Sequence, residues 1–177
     1  MDELTRLALS SSGGDRGDLH DFVRASQADV WRLCAHLGDR DRADDLTQET
    51  YLGALRGLPS FRADASARTW LLAIARRTVA DALRTSGRRR RLEARLGPAQ
   101  DETEPGPGPA ERLALRDAVA HLEADRRAAF VLTQMLGLTY AEAAQVCGCP
   151  VGTIRSRLAR ARADLVAALA DDASSAR

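Results

Sequence analysis

Apolar residues recur every three or four positions through most of this chain, as they do on one face of an α-helix. Two stretches in the first half, 18–37 and 41–58, show this spacing and are ended by glycine or proline. A longer stretch, 66–88, carries the stripe Trp70, Leu71, Ile74, Val79 and Leu83. No stretch keeps the two-residue alternation of a half-buried β-strand. The pattern therefore predicts an all-α protein.

The periodic segments form two groups. In the first half a short segment, 4–9, precedes the others, and the stripe of 18–37 consists of Leu19, Phe22, Val23, Val30, Leu33 and Leu37. The predicted inward residues of 41–58 are Leu46, Tyr51, Leu52 and Leu55. The second half contains four such segments, at 110–122, 124–136, 140–146 and 151–170. We therefore expect two helical domains in succession.

A break in the pattern separates the two groups. Residues 97–109 read GPAQDETEPGPGP and hold four of the six prolines. Proline removes backbone donors and glycine adds chain entropy, so this composition predicts a flexible linker. The predicted domains are 1–92 and 111–177, with the linker at 93–110. Its acidic residues either keep the tether solvated or enter a basic channel of a partner: Asp101, Glu102 and Glu104.

Composition narrows the classes of function. All 26 basic residues are Arg, and GC-rich coding alone can explain the absence of Lys. With 25 acidic residues, the net charge is +1, which does not by itself indicate a nucleic-acid partner. The histidines His20, His36 and His121 lie apart, without an HExxH motif, a glycine-rich phosphate loop or a nucleophile elbow. An enzyme is therefore not expected. With no signal peptide and no apolar run of roughly 18 residues, we expect a cytoplasmic protein without a membrane segment.

The three cysteines do not predict a disulfide framework or a metal site. Cys147 and Cys149 are separated by one residue, which is not CxxC spacing, and no histidine is close to them in the sequence. Cys34 lies far away in the first half. Neither a metal nor another cofactor is expected.

The most informative stretch, residues 138–158, has the layout of a helix-turn-helix. Thr139 can cap a short helix, and Glu142, three positions later, completes a capping box. Gly148 supplies the backbone freedom for a tight turn, and Pro150 is tolerated in the first turn of the next helix. A short helix, a turn with glycine and a second helix is the motif that places a recognition helix in the major groove of DNA.

The second helix of this motif has one apolar and one cationic face. Ile154, Leu158, Ala161 and Leu165 share the apolar face. The rest of 152–162 is small or basic, with four arginines and no acid before Asp164. An arginine-rich face can be a merely solvated one, but such faces usually intersperse glutamate. Together with the turn upstream, this face favours DNA binding.

These residues resemble a known family. The string LTYAEAAQVCGCPVGTIRSRLARAR resembles domain 4 of the extracytoplasmic-function (ECF, group 4) RNA polymerase sigma factors. In the first half, ADDLTQETYLGAL and ARTWLLAIARRTVADALR resemble domain 2 of the same family. The resemblance covers roughly 17–90 and 111–169, in the family's order, and is similar to an actinobacterial, sigma-factor-C-like branch. It implies a subunit that gives RNA polymerase its choice of promoter.

The resemblance assigns the DNA contacts to both domains. It implies that the −35 element is read by Thr153, Arg155, Ser156, Arg157 and Arg160. The loop 60–65 and the helix after it match the region that melts and reads the −10 element, with the candidates Phe61, Arg62, Arg68, Arg76, Arg77 and Arg84. Trp70 lies on the apolar stripe and is interpreted as core. Arg77 stands where the family often has Asn, so the identity of the captured base stays open.

The resemblance also implies protein partners. Four polar residues match the helix that docks on the clamp coiled coil of the largest polymerase subunit: Asp44, Asp45, Gln48 and Glu49. Without the family match, these residues would be read as a solvated helix face with a capping role for Asp44. The polymerase flap is a second implied contact, and an anti-sigma protein is a further partner that no residue here singles out. The alternative to a sigma factor is a stand-alone helix-turn-helix regulator, which would not start transcription with core polymerase.

Overall fold

The computed structural model describes the backbone of residues 1–14, 16–93 and 110–175, and the side chains of 1–14, 16–88 and 115–170. Those ranges contain no β-strand, which confirms the all-α prediction. The helices are α1 (Glu3–Ser12), α2 (Arg16–Leu37), α3 (Ala43–Gly57), α4 (Ala67–Glu93), α5 (Ala110–His121), α6 (Ala124–Phe130), α7 (Tyr140–Cys147) and α8 (Val151–Ser175). Short 3₁₀ turns occupy Arg40–Arg42 and Leu58–Ser60.

The first lobe, α1 to α4, packs around large apolar side chains contributed mainly by α2 and α4. Phe22, Leu33, Leu71 and Leu72 are almost completely buried. Each such side chain stabilises the fold by roughly 1.5–3 kcal/mol relative to exposure. Gly38 ends α2 at a point of close approach, because a Cβ there would lie 2.8 Å from Leu46 Cδ1. These contacts place α3 and α4 side by side on α2.

Three leucines predicted to face inward lie instead in solvent. Leu52 and Leu55 on α3 are 56% and 41% exposed, and Leu83 on α4 is 47% exposed. On α3 the buried face consists of Ala43, Leu46, Thr47, Thr50 and Ala54. Threonines fit there because their hydroxyls donate to backbone carbonyls one turn earlier, so no polar group is left without a partner. On α4 no described residue after Val79 is buried, so Leu83 has no core to enter.

The second lobe, α5 to α8, is held by α8, which packs against α5, α6 and α7. Its core includes Leu132, Ile154 and Leu158. The single helix predicted for 124–136 is divided in the structure. After Phe130 the chain forms a π-helical turn, Val131–Met135, in which the Leu136 N–H donates to the Val131 carbonyl at 3.0 Å. One extra residue in this turn shifts the face that the segment presents.

The two lobes touch each other. Helix α4 of the first lobe packs against α7, and α2 contacts the π-helical turn, α5 and α6.

Helix α4 continues to Glu93, beyond the predicted end near Arg88, and α5 begins at Ala110. The predicted linker and its acidic residues Asp101, Glu102 and Glu104 otherwise lie outside the described residues. Within the described ranges, none of the helices combines the length and apolarity that crossing a membrane requires.

Candidate DNA and polymerase interfaces

The helix-turn-helix is built as its sequence predicts. The Thr139 hydroxyl accepts from the Glu142 N–H at 3.2 Å, and the Glu142 carboxylate accepts from the Thr139 N–H at 2.8 Å, which completes the capping box. The Glu142 carboxylate also accepts from the Thr139 hydroxyl at 2.7 Å, and this bond, together with the one from the Thr139 N–H, holds the pKa of Glu142 below its ordinary value. Gly148 has φ 63°, the left-handed conformation that favours glycine, and ends α7. Pro150 differs slightly from the prediction, because it precedes α8 and its carbonyl accepts from the Thr153 N–H at 2.9 Å.

Helix α8 presents the two faces that its sequence predicts. Ile154, Leu158, Ala161 and Leu165 are all buried, which anchors one side of the helix in the lobe. On the opposite side Arg155, Ser156 and Arg160 are exposed, and Thr153 is half-buried. No ion pair to Arg155 or Arg160 occurs among the described residues. The lobe therefore offers two uncompensated guanidinium groups to solvent.

Arg157 differs from its neighbours because it already has an anionic partner. Its guanidinium donates to Oδ2 of Asp125, at the start of α6, and its other terminal nitrogen lies 3.7 Å from the Cys149 sulfur. Its side chain is only 24% exposed. Asp125 is not predictable from the sequence around Arg157, because nothing near Arg157 in the chain points to a residue of another helix.

The loop 60–65 and α4 enclose the candidate base-binding site. The Phe61 and Trp70 rings lie 4.9 Å apart, centroid to centroid, with planes tilted by 43°. They form part of the wall of a cavity of about 270 Å³. Phe61 is 9% exposed and Trp70 is half-buried, so both rings pack on the core with part of their surface in the cavity. Ala63 in this loop has φ 57°, a strained conformation for a residue with a Cβ.

The candidate arginines of the first lobe fall into two groups. Arg62 and Arg77 are exposed. The others bind acidic or carbonyl groups: Arg84 pairs with Asp81 one turn before it, Arg76 with Asp125, and Arg68 with Asp29. Arg68 also donates to the backbone carbonyl of Leu136 at 2.6 Å. Two of these arginines, Arg68 and Arg76, therefore join the two lobes.

The candidate docking helix, α3, exposes all four residues of its predicted set. Asp45, Gln48 and Glu49 are exposed on one face, and Leu52 and Leu55 extend that face toward the C-terminal end of the helix. A protein-binding surface typically joins apolar side chains to such a polar group. The helical spacing predicts both leucines to be in the core, because amphipathic spacing alone does not distinguish a core face from a docking face.

Asp44 has a fixed orientation. Its carboxylate accepts a hydrogen bond of 2.8 Å from the Trp31 indole Nε1. The Arg40 guanidinium lies over the same indole, 5.6 Å from the ring centroid, at cation–π distance. Trp31, which the sequence analysis did not single out, therefore positions one carboxylate of the docking set.

Burial shields two of the three cysteines, Cys34 and Cys147. All three are free thiols, and Cys34 is buried. Burial raises the pKa of Cys147 to about 11, so this thiol stays protonated near neutral pH. No group of three metal-ligating side chains occurs within the described ranges.

Two family models match the chain, Sigma-70 region 2 over residues 22–89 and Sigma-70 region 4 over 112–165. The ECF RNA polymerase sigma factor SigC of Mycobacterium tuberculosis is 50% identical over 166 residues, 93% of this chain and 90% of that protein. This chain belongs to the ECF sigma factors. It is therefore a transcription initiation factor that directs RNA polymerase to promoters. The SigC match also supports the predicted sigma-factor-C-like branch.

Other ECF sigma factors agree in sequence and fold. EcfG of Rhodopseudomonas palustris is 40% identical over 135 residues, 75% of this chain and 74% of that protein. The sigma factor RpoE of Bartonella quintana, solved with the anti-sigma factor NepR, aligns with a TM-score of 0.74 and 29% identity, over 86% of this chain and 96% of that one. CnrH, solved with the cytosolic domain of CnrY, has the same TM-score at 24% identity and supports the fold alone.

Proposed function

We propose that this ECF sigma factor reads the −35 element with α8 and the −10 element with the loop 60–65 and α4. The observation that supports the first assignment best is the bare pair Arg155 and Arg160 on a helix whose other face is buried. A helix of this kind after a tight turn can enter the major groove, where arginine binds guanine edges and phosphates. Thr153 and Ser156 are short enough to let the helix approach the bases, and Arg157 joins the set once its partner is displaced.

The cavity beside Phe61 and Trp70 is proposed to receive a base that leaves the stack when the −10 element melts. An extruded base is stabilised by aromatic side chains and by hydrogen bonds to its edge. Arg62 and Arg77, which are exposed, would bind the phosphates of the single strand, and Arg68, Arg76 and Arg84 would make further contacts. The proposal requires that these last three exchange their present partners for DNA.

Docking on core polymerase is proposed for the exposed face of α3. Asp45, Gln48 and Glu49 would bind the clamp coiled coil of the largest subunit, together with Asp44. A polar cluster beside Leu52 and Leu55 suits a basic partner surface with some apolar area. The second lobe would bind the flap. By analogy with the RpoE–NepR complex, an anti-sigma factor is a further partner.

This role requires no chemistry from the chain itself, since polymerase supplies the catalysis. We therefore propose that the protein is not an enzyme, needs no cofactor and works in the cytoplasm, where polymerase and chromosome are found.

The experiment that tests the docking surface is transcription with purified core polymerase. Asp45→Arg combined with Glu49→Arg should reduce specific transcripts and polymerase association more than tenfold, because like charges would then face the basic partner. The matched control is Glu3→Arg with Asp21→Arg, which makes the same charge change at two exposed acids on α1 and α2. If transcription survives in the first variant, the surface is elsewhere. If the parent protein supports no specific transcript at all, the sigma-factor role fails.

A further inference from the structure

We infer that α1 positions the loop and the helix that read the −10 element, and that it does so through the hydroxyl of Thr5. The inference rests on the proposed function, because it assumes that the loop 60–65 and α4 bind the melted strand. Helix α1 lies before residues 22–89, which match Sigma-70 region 2. Thr5 is a positioning residue in this arrangement, since it acts on DNA only through α4.

The first turn of α4 receives its caps from two distant parts of the chain. Within the turn, the Ser66 hydroxyl accepts from the Thr69 N–H at 3.1 Å. The Ala67 N–H instead donates to the Thr5 hydroxyl at 2.9 Å, across 62 residues of sequence. Amides at the start of a helix have no partner within the helix, so a buried one needs an acceptor from elsewhere. Thr5 supplies that acceptor, and α1 therefore fixes the point at which α4 begins.

Asp2 holds the Thr5 hydroxyl in the orientation that accepts from α4. The hydroxyl donates to Asp2 Oδ2 at 2.6 Å, and Asp2 Oδ1 accepts from the Thr5 N–H at 3.0 Å. A hydroxyl has a single proton, so with that proton on Asp2 the oxygen is left to accept from Ala67. Thr5 is only 4% exposed, which limits competition from water. The link from Asp2 through Thr5 to the Ala67 amide is therefore directional and shielded at its centre.

Helix α1 also contacts both ends of the loop 60–65. It touches the Leu58–Ser60 turn, where the loop starts, and α4, to which the loop leads. Leu7 and Ala8 are buried and anchor α1 in the core of the first lobe. Within the loop, Ala63 has φ 57°, and a strained residue of this kind persists only where its surroundings over-determine the backbone. The contacts of α1 supply part of that constraint.

The Thr5 link bears on DNA through the groups next to it. Trp70 lies in the first turn of α4 and Phe61 in the loop, and both line the cavity proposed to receive a base. Without the cap, the first turn and the loop would sample more positions, and capture of a base would have to order them at a cost in affinity. Helix α8 belongs to the second lobe, so −35 binding should not depend on Thr5.

The test is promoter opening by holoenzyme assembled from core polymerase and the full chain. The template is a plasmid with a promoter that the parent holoenzyme selects from a random-sequence library. Protection from DNase I measures −35 binding, and permanganate reactivity of unpaired thymines measures melting. For Thr5→Val we expect the ratio of melting to −35 protection to fall about threefold or more, because only molecules with the first turn of α4 in place capture the base. Thr5→Ser keeps the hydroxyl and should restore the ratio.

The ratio separates positioning from mere stabilisation of the lobe, which would lower both signals together. The matched control is Ser11→Ala on the same helix, where the buried hydroxyl donates to the Leu7 carbonyl at 2.7 Å. We expect this control to keep the ratio of the parent. Thr5→Ala is made in parallel, so that the result does not depend on how valine packs. An equal fall in the control, an unchanged ratio in both Thr5 variants, or a proportional loss of both signals overturns the inference.

A further arm distinguishes this inference from the proposed function. Arg62→Ala with Arg77→Ala removes two exposed guanidinium groups of the proposed −10 surface. If this variant melts the promoter less than the parent while the Thr5 variants keep the ratio of the parent, the −10 surface is right and the positioning role is wrong. If it melts the promoter as the parent does, the proposed −10 surface is wrong, and the role given to Thr5 falls with it.

Discussion

The guanidinium groups of Arg155 and Arg160 stand on α8 without an ion pair in the described part of the chain, whereas Arg157 between them is bound to Asp125. The difference comes from position on the helix. Arg157 lies toward α6, while its two neighbours face away from the lobe. Exposed, unpaired arginines contribute little to folding and keep their full charge for a ligand. Positions on one helix therefore differ: two present a guanidinium to solvent, and one is bound within the lobe.

Removing these two side chains should weaken −35 binding and its dependence on salt. For Arg155→Ala with Arg160→Ala, the slope of log affinity against log salt should fall by about one for each phosphate that the protein no longer neutralises. The measurement is fluorescence anisotropy with promoter duplex at several salt concentrations. Arg24→Ala with Arg32→Ala, which removes two exposed arginines of α2, should leave the slope unchanged. An unaltered slope in the α8 variant would exclude α8 as the recognition helix.

For single residues, the sequence predicts which side chains are exposed or buried, but it does not predict which distant residues form ion pairs. The exposed arginines and the buried Ile154 and Leu158 follow from the helical period alone. Asp125 does not, because it lies 32 residues from Arg157 and 49 from Arg76 in the chain. A side chain that meets its partners only after the lobes have packed leaves no local pattern.

At the scale of the elements, caps and periodicity located the helices to within a few residues. The capping box at Thr139 and the left-handed Gly148 fix α7 and the turn, and both can be read from residue type and spacing. The π-helical turn at residues 131–135 cannot be predicted in this way, since it inserts one residue without changing the composition. The leucines of α3 were misassigned because the helix has two partly apolar faces, of which one packs on the core.

Loss of the cap on α7 should destabilise the second lobe. Thr139→Ala removes one hydrogen-bond acceptor from the exposed amides of the first turn, so the free energy of unfolding should fall by about 1 kcal/mol. Urea denaturation followed by circular dichroism measures this. Thr139→Ser retains the hydroxyl and should recover most of the loss. Equal stability of the alanine and serine variants would show that the cap contributes nothing here.

At the scale of the whole molecule, the order of the lobes and their roles follow from local motifs, but their contact does not. The hydrogen bond from Arg68 to the Leu136 carbonyl joins residues 68 positions apart. Helical periodicity carries no information about which helix of one lobe meets which helix of the other. The mutual arrangement depends on complementary surfaces that exist only after each lobe has folded.

His36 makes the stability of this arrangement dependent on pH. Burial, together with Arg116 of the second lobe and Arg40, holds its pKa below the ordinary value. The unfolded chain therefore binds more protons than the folded one near and below pH 6.5, so the free energy of unfolding should decrease as pH falls through this range.

The measurement is urea denaturation at several pH values from about 7.5 down to 5.5, a range that spans the ordinary titration of histidine. His36→Gln should flatten this dependence, while the exposed His20→Gln should not. A parent protein whose unfolding free energy is constant over the range would contradict the role given to burial of this imidazole.

The positions of the two tryptophans suit measurements of intrinsic fluorescence. The chain has two tryptophans, and they stand beside different proposed interfaces, Trp31 next to α3 and Trp70 in the wall of the base cavity. Indole emission responds to changes in polarity and to quenching by a stacked base. If both proposed interfaces are right, Trp31 emission would respond to binding of polymerase and Trp70 emission to strand opening, and single Trp→Phe variants would assign each signal without an attached dye.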